Sequence, residues 1–309
     1  MSSVVQPQIT IGLPVYNGDP YLAAAIESIL GQTYEDFIFV ISDNGSTDGT
    51  SEVIRSFAKA DRRIRHLHSS ENRGAIWNFN RVFAECESPY FKWAASDDLL
   101  APTCVERCYE TLREAAPGTA VLAAPETRWI DADGEFLPDQ DDPMNVIDAT
   151  TRGRLRHVVR NVLWGNTVFG LMVSDALRRA RPIGAYRSSD WVLLAELSLL
   201  GKLVVVPEPL FFRRDHEGRS LRANDTKLSY GQWMDPTIKK PQEELPRVFV
   251  ELVKGIEWSP LSRTEKLSCQ AAMTMEFVKR HARPRARLAF RTRLRGARER
   301  MRSRPSHAE

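Results

Sequence analysis

The sequence predicts a doubly wound α/β fold, and three observations support this. Short apolar runs alternate with segments of helical periodicity through the first hundred residues. The runs show almost no alternation of polar and apolar residues, which is typical of parallel strands buried on both faces. Polar residues cluster directly after each run, which would place them at the carboxyl ends of neighbouring strands, where open α/β sheets bind ligands.

Four strands separated by three helices are predicted in this part of the chain. The strands are residues 9–14, 37–41, 64–68 and 90–95. We expect Pro14 to stop the first strand, because proline cannot donate to a strand ladder. Asp19 is expected to cap the first helix, with Pro20 in the first turn and Gly31 at the end.

The rest of the chain is expected to add further strands and helices in a less regular order. Strands are predicted at residues 121–124, 127–135 and 202–212, and helices at 102–115, 150–163, 249–256 and 261–278. Residues 225–246 are polar and contain three prolines, so we expect a flexible segment that covers the site when a ligand binds.

Composition indicates an ordinary globular chain of 309 residues, 42% hydrophobic and 27% charged, large enough for one large domain or two small ones. No apolar run is long enough to cross a membrane and the N-terminus lacks signal-peptide regions, so we expect a cytoplasmic protein. The four cysteines fit no zinc pattern and are expected to be reduced, half-buried packing residues.

Charge is distributed unevenly along the chain. Residues 279–309 carry twelve Lys/Arg and two Glu, so this tail has a charge of +10 and leaves −7 on the rest of a chain of net charge +3. A solvated tail, a contact with anionic lipid and a contact with nucleic acid all fit this composition.

Two adjacent carboxylates, Asp97 and Asp98, follow the fourth predicted strand. Oxygen ligands at a strand end suit a hard divalent cation, which brings phosphate oxygens with it. The alternative is a surface turn in which one aspartate caps the next helix. The phosphate-binding motifs Gly-x-Gly-x-x-Gly and Gly-x-x-x-x-Gly-Lys are both missing, so a nucleotide would be held by side chains and a metal.

Four motifs in order resemble the family 2 glycosyltransferases, which are inverting enzymes with the GT-A fold and nucleotide-sugar donors. The motifs are Leu-Pro-Val-Tyr-Asn at 13–17, Asp-Asn-Gly-Ser-Thr-Asp-Gly at 43–49, Asn-Arg-Gly at 72–74 and Ser-Asp-Asp at 96–98. The resemblance is dense over residues 9–100 and thins beyond. It implies a Rossmann-like mixed sheet with a variable acceptor half and C-terminal helices.

The resemblance also implies a donor site. Residues implied in nucleotide or diphosphate binding are Pro14, Tyr16, Asn17, Asp43, Asn72, Arg73, Asp97 and Arg214. Asp43 would accept a hydrogen bond from the base; alternatively it orders its own loop as an Asx turn. Many family members carry a second aspartate where this chain has Asn44, which leaves the base open.

The implied cofactor is Mg²⁺ or Mn²⁺, held by Asp98 and by His216 after the last strand. Ser96 stands at the first position of the family's usual Asp-x-Asp, so Asp98 is the expected direct ligand. Asp97 would instead contact the ribose or a metal-bound water. A solvated histidine in a basic loop is the alternative for His216.

The implied general base is Asp190, in Ser189-Asp190 before an apolar helix. Inversion needs a carboxylate beside the acceptor hydroxyl, and the alternative role of Asp190 is to cap the helix. Trp164, Asn166 and Trp191 are implied in acceptor binding; for the first two, a core tryptophan and a turn asparagine are the alternatives.

The implied organisation is a glycosyltransferase domain at 1–222 (nucleotide half 1–100, acceptor half 101–222), a helical extension at 223–278 and the basic tail at 279–309. The acceptor would be a hydroxyl-bearing glycan, lipid-linked molecule or small molecule, and the tail would contact the inner face of an anionic membrane. Two alternatives remain open: a nucleotidyltransferase or sugar-phosphate-binding protein, which the missing Gly-rich loop disfavours, and a non-catalytic, degenerate transferase-like module.

Overall fold

The central feature of the fold is a mixed β-sheet of eight strands within the residues that the computed structural model describes, 7–116, 118–138 and 144–281. The strands are β1 (Ile9–Val15), β2 (Phe37–Asp43), β3 (Ile64–His68), β4 (Tyr90–Trp93), β5 (Leu99–Leu100), β6 (Ala120–Ile130), β7 (Leu171–Val173) and β8 (Lys202–Arg214). Their order is β3-β2-β1-β4-β7-β6-β8-β5. The strands β1 to β4 are parallel, whereas β7 is antiparallel to both neighbours and β5 is antiparallel to β8.

Helices cover both faces of this sheet. They are α1 (Leu22–Leu30), α2 (Thr50–Ala60), α3 (Ala75–Ala84), α4 (Cys104–Glu114), α5 (Thr151–Asn161), α6 (Ser174–Arg179), α7 (Ser189–Leu200), α8 (Ser220–Ala223), α9 (Lys227–Met234), α10 (Glu244–Trp258) and α11 (Arg263–His281). One core cluster packs α1, α2 and α4 on one face of the sheet, and the second packs α5, α7, α10 and α11 on the other. The predicted doubly wound fold is therefore confirmed.

Two predictions for the first strand and helix are wrong. The strand β1 continues through Pro14 to Val15, because the pairing of β1 with β4 ends at Gly12 and no partner there needs the missing proline N–H. Asp19 does not cap α1, since Tyr21 is the N-cap residue and the backbone carbonyl of Gly18 accepts the first N–H bonds.

The second half of the chain departs further from the sequence prediction. One strand, β6, replaces the two predicted between residues 121 and 135. Its ladder with β8 shifts register around Pro125 and Glu126, where β8 contains extra residues beside Pro207 and Pro209. The turn predicted after it is present, with Gly134 at φ +92°. Residues 164–172 contain a 3₁₀-helix (Asn166–Phe169) before β7.

Residues 225–246 were predicted to be a flexible segment, but they contain regular structure. They contain α9 and the start of α10, where Pro246 lies in the first turn and displaces no helical hydrogen bond. The two C-terminal helices are confirmed as α10 and α11. Of the basic tail, residues 282–309 lie outside the described residues.

Two further expectations can be compared with the structure. All four cysteines are free, as expected, but they are buried rather than half-buried. Among the described residues, no helix combines the length and the apolar character needed to cross a membrane.

The position of α7 depends on a buried ion-pair network. Arg181 donates from Nε to Glu196 Oε1 at 2.8 Å and from Nη1 to Glu251 Oε2 at 2.7 Å, and so links α7 to α10. Both glutamates are almost fully buried, with side chains 7% and 6% exposed. Removing the cation that compensates for a buried carboxylate strongly destabilises the folded protein.

We therefore predict that Arg181→Ala lowers the free energy of unfolding by about 3 kcal/mol, because buried Glu196 loses its cationic partner and buried Glu251 keeps only Arg247 and Lys254. Urea denaturation measures this loss. The control is Arg55→Ala, which removes an exposed pair with Glu52 and should cost less than about 1 kcal/mol. Equal losses in the two variants would contradict the role given to the network.

Candidate active site

A cavity of about 700 Å³ opens at the carboxyl ends of β1, β2 and β4, within the range typical of small-molecule sites. It brings together ten of the residues singled out from the sequence: Pro14, Tyr16, Asn17, Asn72, Asp97, Asp98, Trp164, Asp190, Arg214 and His216. Four others are not on its wall: Asp43, Arg73, Asn166 and Trp191.

One wall is built from the loops after the first three strands, which hydrogen bonds hold together. Asn17, at φ +50°, accepts from Thr47 N at 2.9 Å, which joins the loops after β1 and β2. Asn44 donates from Nδ2 to Asn72 Oδ1 at 3.0 Å and to Gly74 O at 3.1 Å, which joins the loops after β2 and β3. The asparagine that replaces the family's second aspartate therefore has a structural partner.

Asp43 is completely buried behind this wall. Its Oδ1 accepts from Ser46 N at 2.9 Å, and its Oδ2 contacts the Ser51 hydroxyl and His68 Nδ1, the latter at 3.3 Å. Hydrogen bonds from these serines lower the pKa of Asp43 despite its burial. In this structure the carboxylate of Asp43 therefore orders its own loop, and its contact with a nucleotide base stays a prediction.

Arg73 also points away from the cavity. Its guanidinium pairs with Glu71 at 3.2 Å and lies over the Trp77 ring, 5.0 Å from the centroid. With its side chain 53% exposed, it matches the solvated surface arginine of protein exteriors more closely than a ligand contact.

The carboxylate loop after β4 is fixed by the end of β8. Asp98 Oδ1 accepts from Arg214 N at 2.8 Å, and the Arg214 side chain donates to the carbonyl of Asp97 at 2.9 Å. Burial, and then the neighbouring charge of Asp97, raise the pKa of Asp98 to about 7, although Arg213 opposes this. His216 Nε2 lies 3.0 Å from Asp97 Oδ2, so the histidine is paired with Asp97 in this structure.

Three arginines make this end of the cavity cationic: Arg213, Arg214 and Arg219. Arg213 and Arg219 lie over the ring of Trp129, at 5.1 and 4.6 Å from its centroid. Burial lowers the pKa of Arg219 to about 10, so it remains charged at neutral pH. Of the three, sequence analysis singled out Arg214; Arg219 carries no motif that would have identified it.

Asp190 faces the cavity from the first turn of α7. It is not the N-cap residue, because Ser188 occupies that position in the left-handed region at φ +64°. Burial raises the pKa of Asp190 to about 6, against the opposing effects of the Trp191 N–H and Arg213. A carboxylate with this pKa is ionised at neutral pH and is a stronger base than an exposed aspartate.

Gly165 makes room for this carboxylate. A Cβ atom at position 165 would overlap Asp190 Oδ2, and the backbone there has φ +69°, a region that favours glycine. The close approach of backbone and carboxylate therefore requires glycine for two independent reasons.

The predicted acceptor residues separate into two groups. Trp164 lines the cavity and packs edge-to-face against Trp129, with centroids 5.7 Å apart. Asn166 is 3% exposed, and its Oδ1 accepts a hydrogen bond from the Arg213 guanidinium, which positions that arginine. Trp191 lies under the Arg280 guanidinium, 4.6 Å from the ring centroid, beside a separate cleft next to α11.

Two aromatic residues on α9, Tyr230 and Trp233, line the same cavity. Sequence analysis missed them because the segment was interpreted as a flexible loop. The helical capping pattern of Thr226 and Ser229, which forms a capping box, was the signal that could have identified the helix.

Two places could hold a metal ion. Asp97 and Asp98 offer oxygen ligands beside the arginine cluster, but their ligand atoms and those of His216 do not form a compact group of three. Within the described part of the chain, a compact group of three is formed by Asp43, His66 and His68, whose ligand atoms lie within 4.8 Å of one another. Both oxygens of Asp43 already accept hydrogen bonds.

The chain is similar in sequence to known glycosyltransferases. The model of glycosyl transferase family 2 matches residues 10–126. An uncharacterized glycosyltransferase of Haemophilus influenzae is 30% identical over 260 residues, which cover 77% of this chain and 73% of that protein. The chain belongs to glycosyl transferase family 2.

Other family 2 relatives match over a shorter span. Chondroitin synthase of Escherichia coli is 31% identical over 131 residues, which are 42% of this chain and 19% of that enzyme. Alignments with the first seven curated relatives cover from 17% to 43% of their lengths.

The structure of Staphylococcus aureus TarS in complex with UDP-GlcNAc superposes with a TM-score of 0.63 at 13% identity, covering 88% of this chain and 73% of that one. This likeness concerns the fold, and it confirms the GT-A architecture expected from the four motifs.

We predict that Gly165→Ala destabilises the protein through both effects described above. The control is Gly118→Ala, where φ is +75° but a Cβ would meet nothing within 4 Å. The control should lose about 1 kcal/mol of unfolding free energy through backbone strain alone, and Gly165→Ala about 2 kcal/mol more through overlap with Asp190. Thermal and urea unfolding measure both. If the two variants lose the same stability, Asp190 does not lie against Gly165.

Proposed function

We propose that this family 2 protein is an inverting glycosyltransferase that moves a sugar from a nucleoside-diphosphate donor to an acceptor hydroxyl. The observation that carries the proposal is the single cavity that contains both the nucleotide-half residues and the carboxylate of Asp190. In that arrangement a donor on one wall would present its sugar to a base on the other.

The donor nucleoside would lie against Pro14, Tyr16, Asn17 and Asn72, on the wall built by the first three loops. Asn44 lines the same wall and joins this set in place of the buried Asp43. The diphosphate would lie toward Arg214, with Arg213 and Arg219 beside it, because guanidinium groups suit phosphate oxygens in both geometry and charge. Asp97 would contact the ribose or a metal-bound water.

A divalent cation fits the carboxylate loop. A buried carboxylate beside a second one is costly unless a cation compensates for it, and the raised pKa of Asp98 reports this cost. We propose that Asp98, with Asp97 and His216 close by, would hold Mg²⁺ or Mn²⁺. Bound there, the cation would supply positive charge to the departing diphosphate. Because the protein ligands do not form a closed group, phosphate oxygens would complete the coordination, as is usual for Mg²⁺.

The proposed chemical step is a single displacement. Asp190 takes the proton of the acceptor hydroxyl as its oxygen forms a bond to the anomeric carbon. The bond from that carbon to the diphosphate oxygen breaks at the same time, and the arginines stabilise the negative charge that develops on the leaving group. Attack from the face opposite the leaving group inverts the anomeric configuration.

Glycan or glycolipid synthesis is the proposed setting, since chondroitin synthase is among the relatives. We further propose action at the inner face of a membrane, with the basic residues after position 281 contacting anionic lipid. A degenerate, non-catalytic module is the alternative, and hydrolysis of the donor sugar in the absence of acceptor would argue against it.

We predict that Asp190→Asn lowers kcat for sugar transfer about a thousandfold, because the amide cannot take the acceptor proton. The affinity for the nucleoside diphosphate should stay within about twofold. The control is Asp175→Asn, another aspartate in the first turn of a helix, exposed and away from the cavity.

The pH dependence of the same reaction provides a second readout. Below the Asp190 pKa of about 6 the carboxylate is protonated, so wild-type kcat should fall about tenfold per pH unit. The residual activity of Asp190→Asn should lack this decline. A well-folded Asp190→Asn variant that keeps full activity would remove Asp190 from the mechanism.

We predict that one nucleotide among UDP, GDP, dTDP and CDP raises the melting temperature, and that it does so only with Mn²⁺ or Mg²⁺. Asp98→Asn preserves the acceptor of the Arg214 N–H bond and should still fold, but it should weaken metal-dependent nucleotide binding at least about tenfold. Asp133→Asn, exposed and outside the cavity, is the control. Unchanged binding after treatment with a chelator would exclude a role for the metal.

A further inference from the structure

The helix α9 is held between the two halves of the site. At its end, Gly74 packs so tightly beneath it that an added Cβ would overlap the carbonyl oxygen of Met234. Nearer its middle, the Tyr230 ring lies 5.4 Å from the Arg187 guanidinium carbon, in the loop before α7. The helix therefore bridges the Asn-Arg-Gly loop of the nucleotide half and the loop before α7, the helix that carries Asp190.

This bridging position directs two aromatic rings into the cavity. The rings of Tyr230 and Trp233 have centroids 5.3 Å apart and are tilted by 37°. Burial, and then the charge of Asp190, raise the pKa of Tyr230 to about 12. The phenol therefore keeps its proton at neutral pH and remains a hydrogen-bond donor close to the carboxylate.

A sugar ring matches these groups chemically. One face of a pyranose carries C–H groups, whose partial positive charge is attracted to the electron-rich face of an aromatic ring. Its edges carry hydroxyls that pair with a phenol and a carboxylate. A lipid chain would instead need a wholly apolar wall, whereas Trp164, Tyr230, Trp233 and Asp190 are among the residues that line this cavity.

We propose that Tyr230 and Trp233 form an acceptor subsite that binds a pyranose ring, so that the acceptor of this enzyme is a carbohydrate. This inference rests on the proposed function, because it takes Asp190 as the group that deprotonates the acceptor. Tyr230 is assigned to the acceptor because it contacts Arg187 in the loop before α7, the helix that carries Asp190. Trp233 is assigned with it because the two rings pack against each other.

The experiment compares acceptors of similar size with and without a sugar ring. The probes are the p-nitrophenyl glycosides of glucose, galactose and N-acetylglucosamine, and 4-nitrophenethyl alcohol as the non-sugar alcohol. The donor is the nucleotide sugar whose hydrolysis the wild-type enzyme catalyses. We expect transfer to at least one glycoside and none to the alcohol.

Substitutions on α9 then test the two rings. Trp233→Ala should raise the KM for the glycoside about tenfold or more, as expected for a lost stacking platform. Trp233→Phe, which keeps an aromatic face, should recover most of this loss. Tyr230→Phe should lower kcat with less effect on KM. Gln232→Ala, on the exposed side of the same helix, should leave both constants unchanged.

Donor hydrolysis in the absence of acceptor distinguishes failure of the acceptor subsite from failure of the proposed function. The proposal requires the kcat and KM of donor hydrolysis to stay within twofold of wild type in Trp233→Ala. If Trp233→Ala leaves the glycoside KM unchanged, or raises the KM for donor hydrolysis instead, the rings do not form an acceptor subsite. Transfer to the alcohol alone, or to no glycoside while hydrolysis proceeds, would also overturn the proposal. Absence of both donor hydrolysis and transfer to every acceptor in the wild-type enzyme would overturn the proposed function itself.

Discussion

The arrangement of the site depends on Arg214, the last residue of β8. Its backbone N–H binds the buried carboxylate of Asp98, and its guanidinium donates to the carbonyls of Asp97, Asp131 and Ala132. One residue thus joins the carboxylate loop after β4 to the turn after β6. Because these loops come from distant parts of the chain, the cavity has a defined shape only when β8 has entered the sheet between β6 and β5.

The parallel strands explain why the nucleotide half could be predicted from sequence. Strands buried on both faces are continuous apolar runs, and the residue after each run must lie at the same sheet edge. Local pattern therefore located Asn17, Asn72 and Asp98 on one cavity before any long-range contact was known. The same reasoning could not choose between the two roles of Asp43, because its place at the end of β2 is the same whether its carboxylate contacts a ligand or orders its own loop.

The acceptor half could be predicted less well, and the reason is physical. The strand β7 has three residues and β5 has two, so both depend on partners far away in sequence rather than on their own propensity. Likewise, α9 is short and polar on its outer side, and what fixes its position is the contact with Gly74 in the nucleotide half. No local pattern records such a contact, so Tyr230 and Trp233 could not be assigned to the site from sequence alone.

Arg213 connects the two ends of the cavity electrostatically. Burial raises the pKa of Asp98 at one end and of Asp190 at the other, and the positive charge of Arg213 lowers both. Asn166, which sequence analysis assigned to the acceptor, accepts a hydrogen bond from this guanidinium, and the Trp129 ring lies against it. Since neither Asn166 nor Trp129 is on the cavity wall, their effect on the site is exerted through Arg213. The two carboxylates therefore share one positioned cation, and loss of its charge would raise the pKa of both.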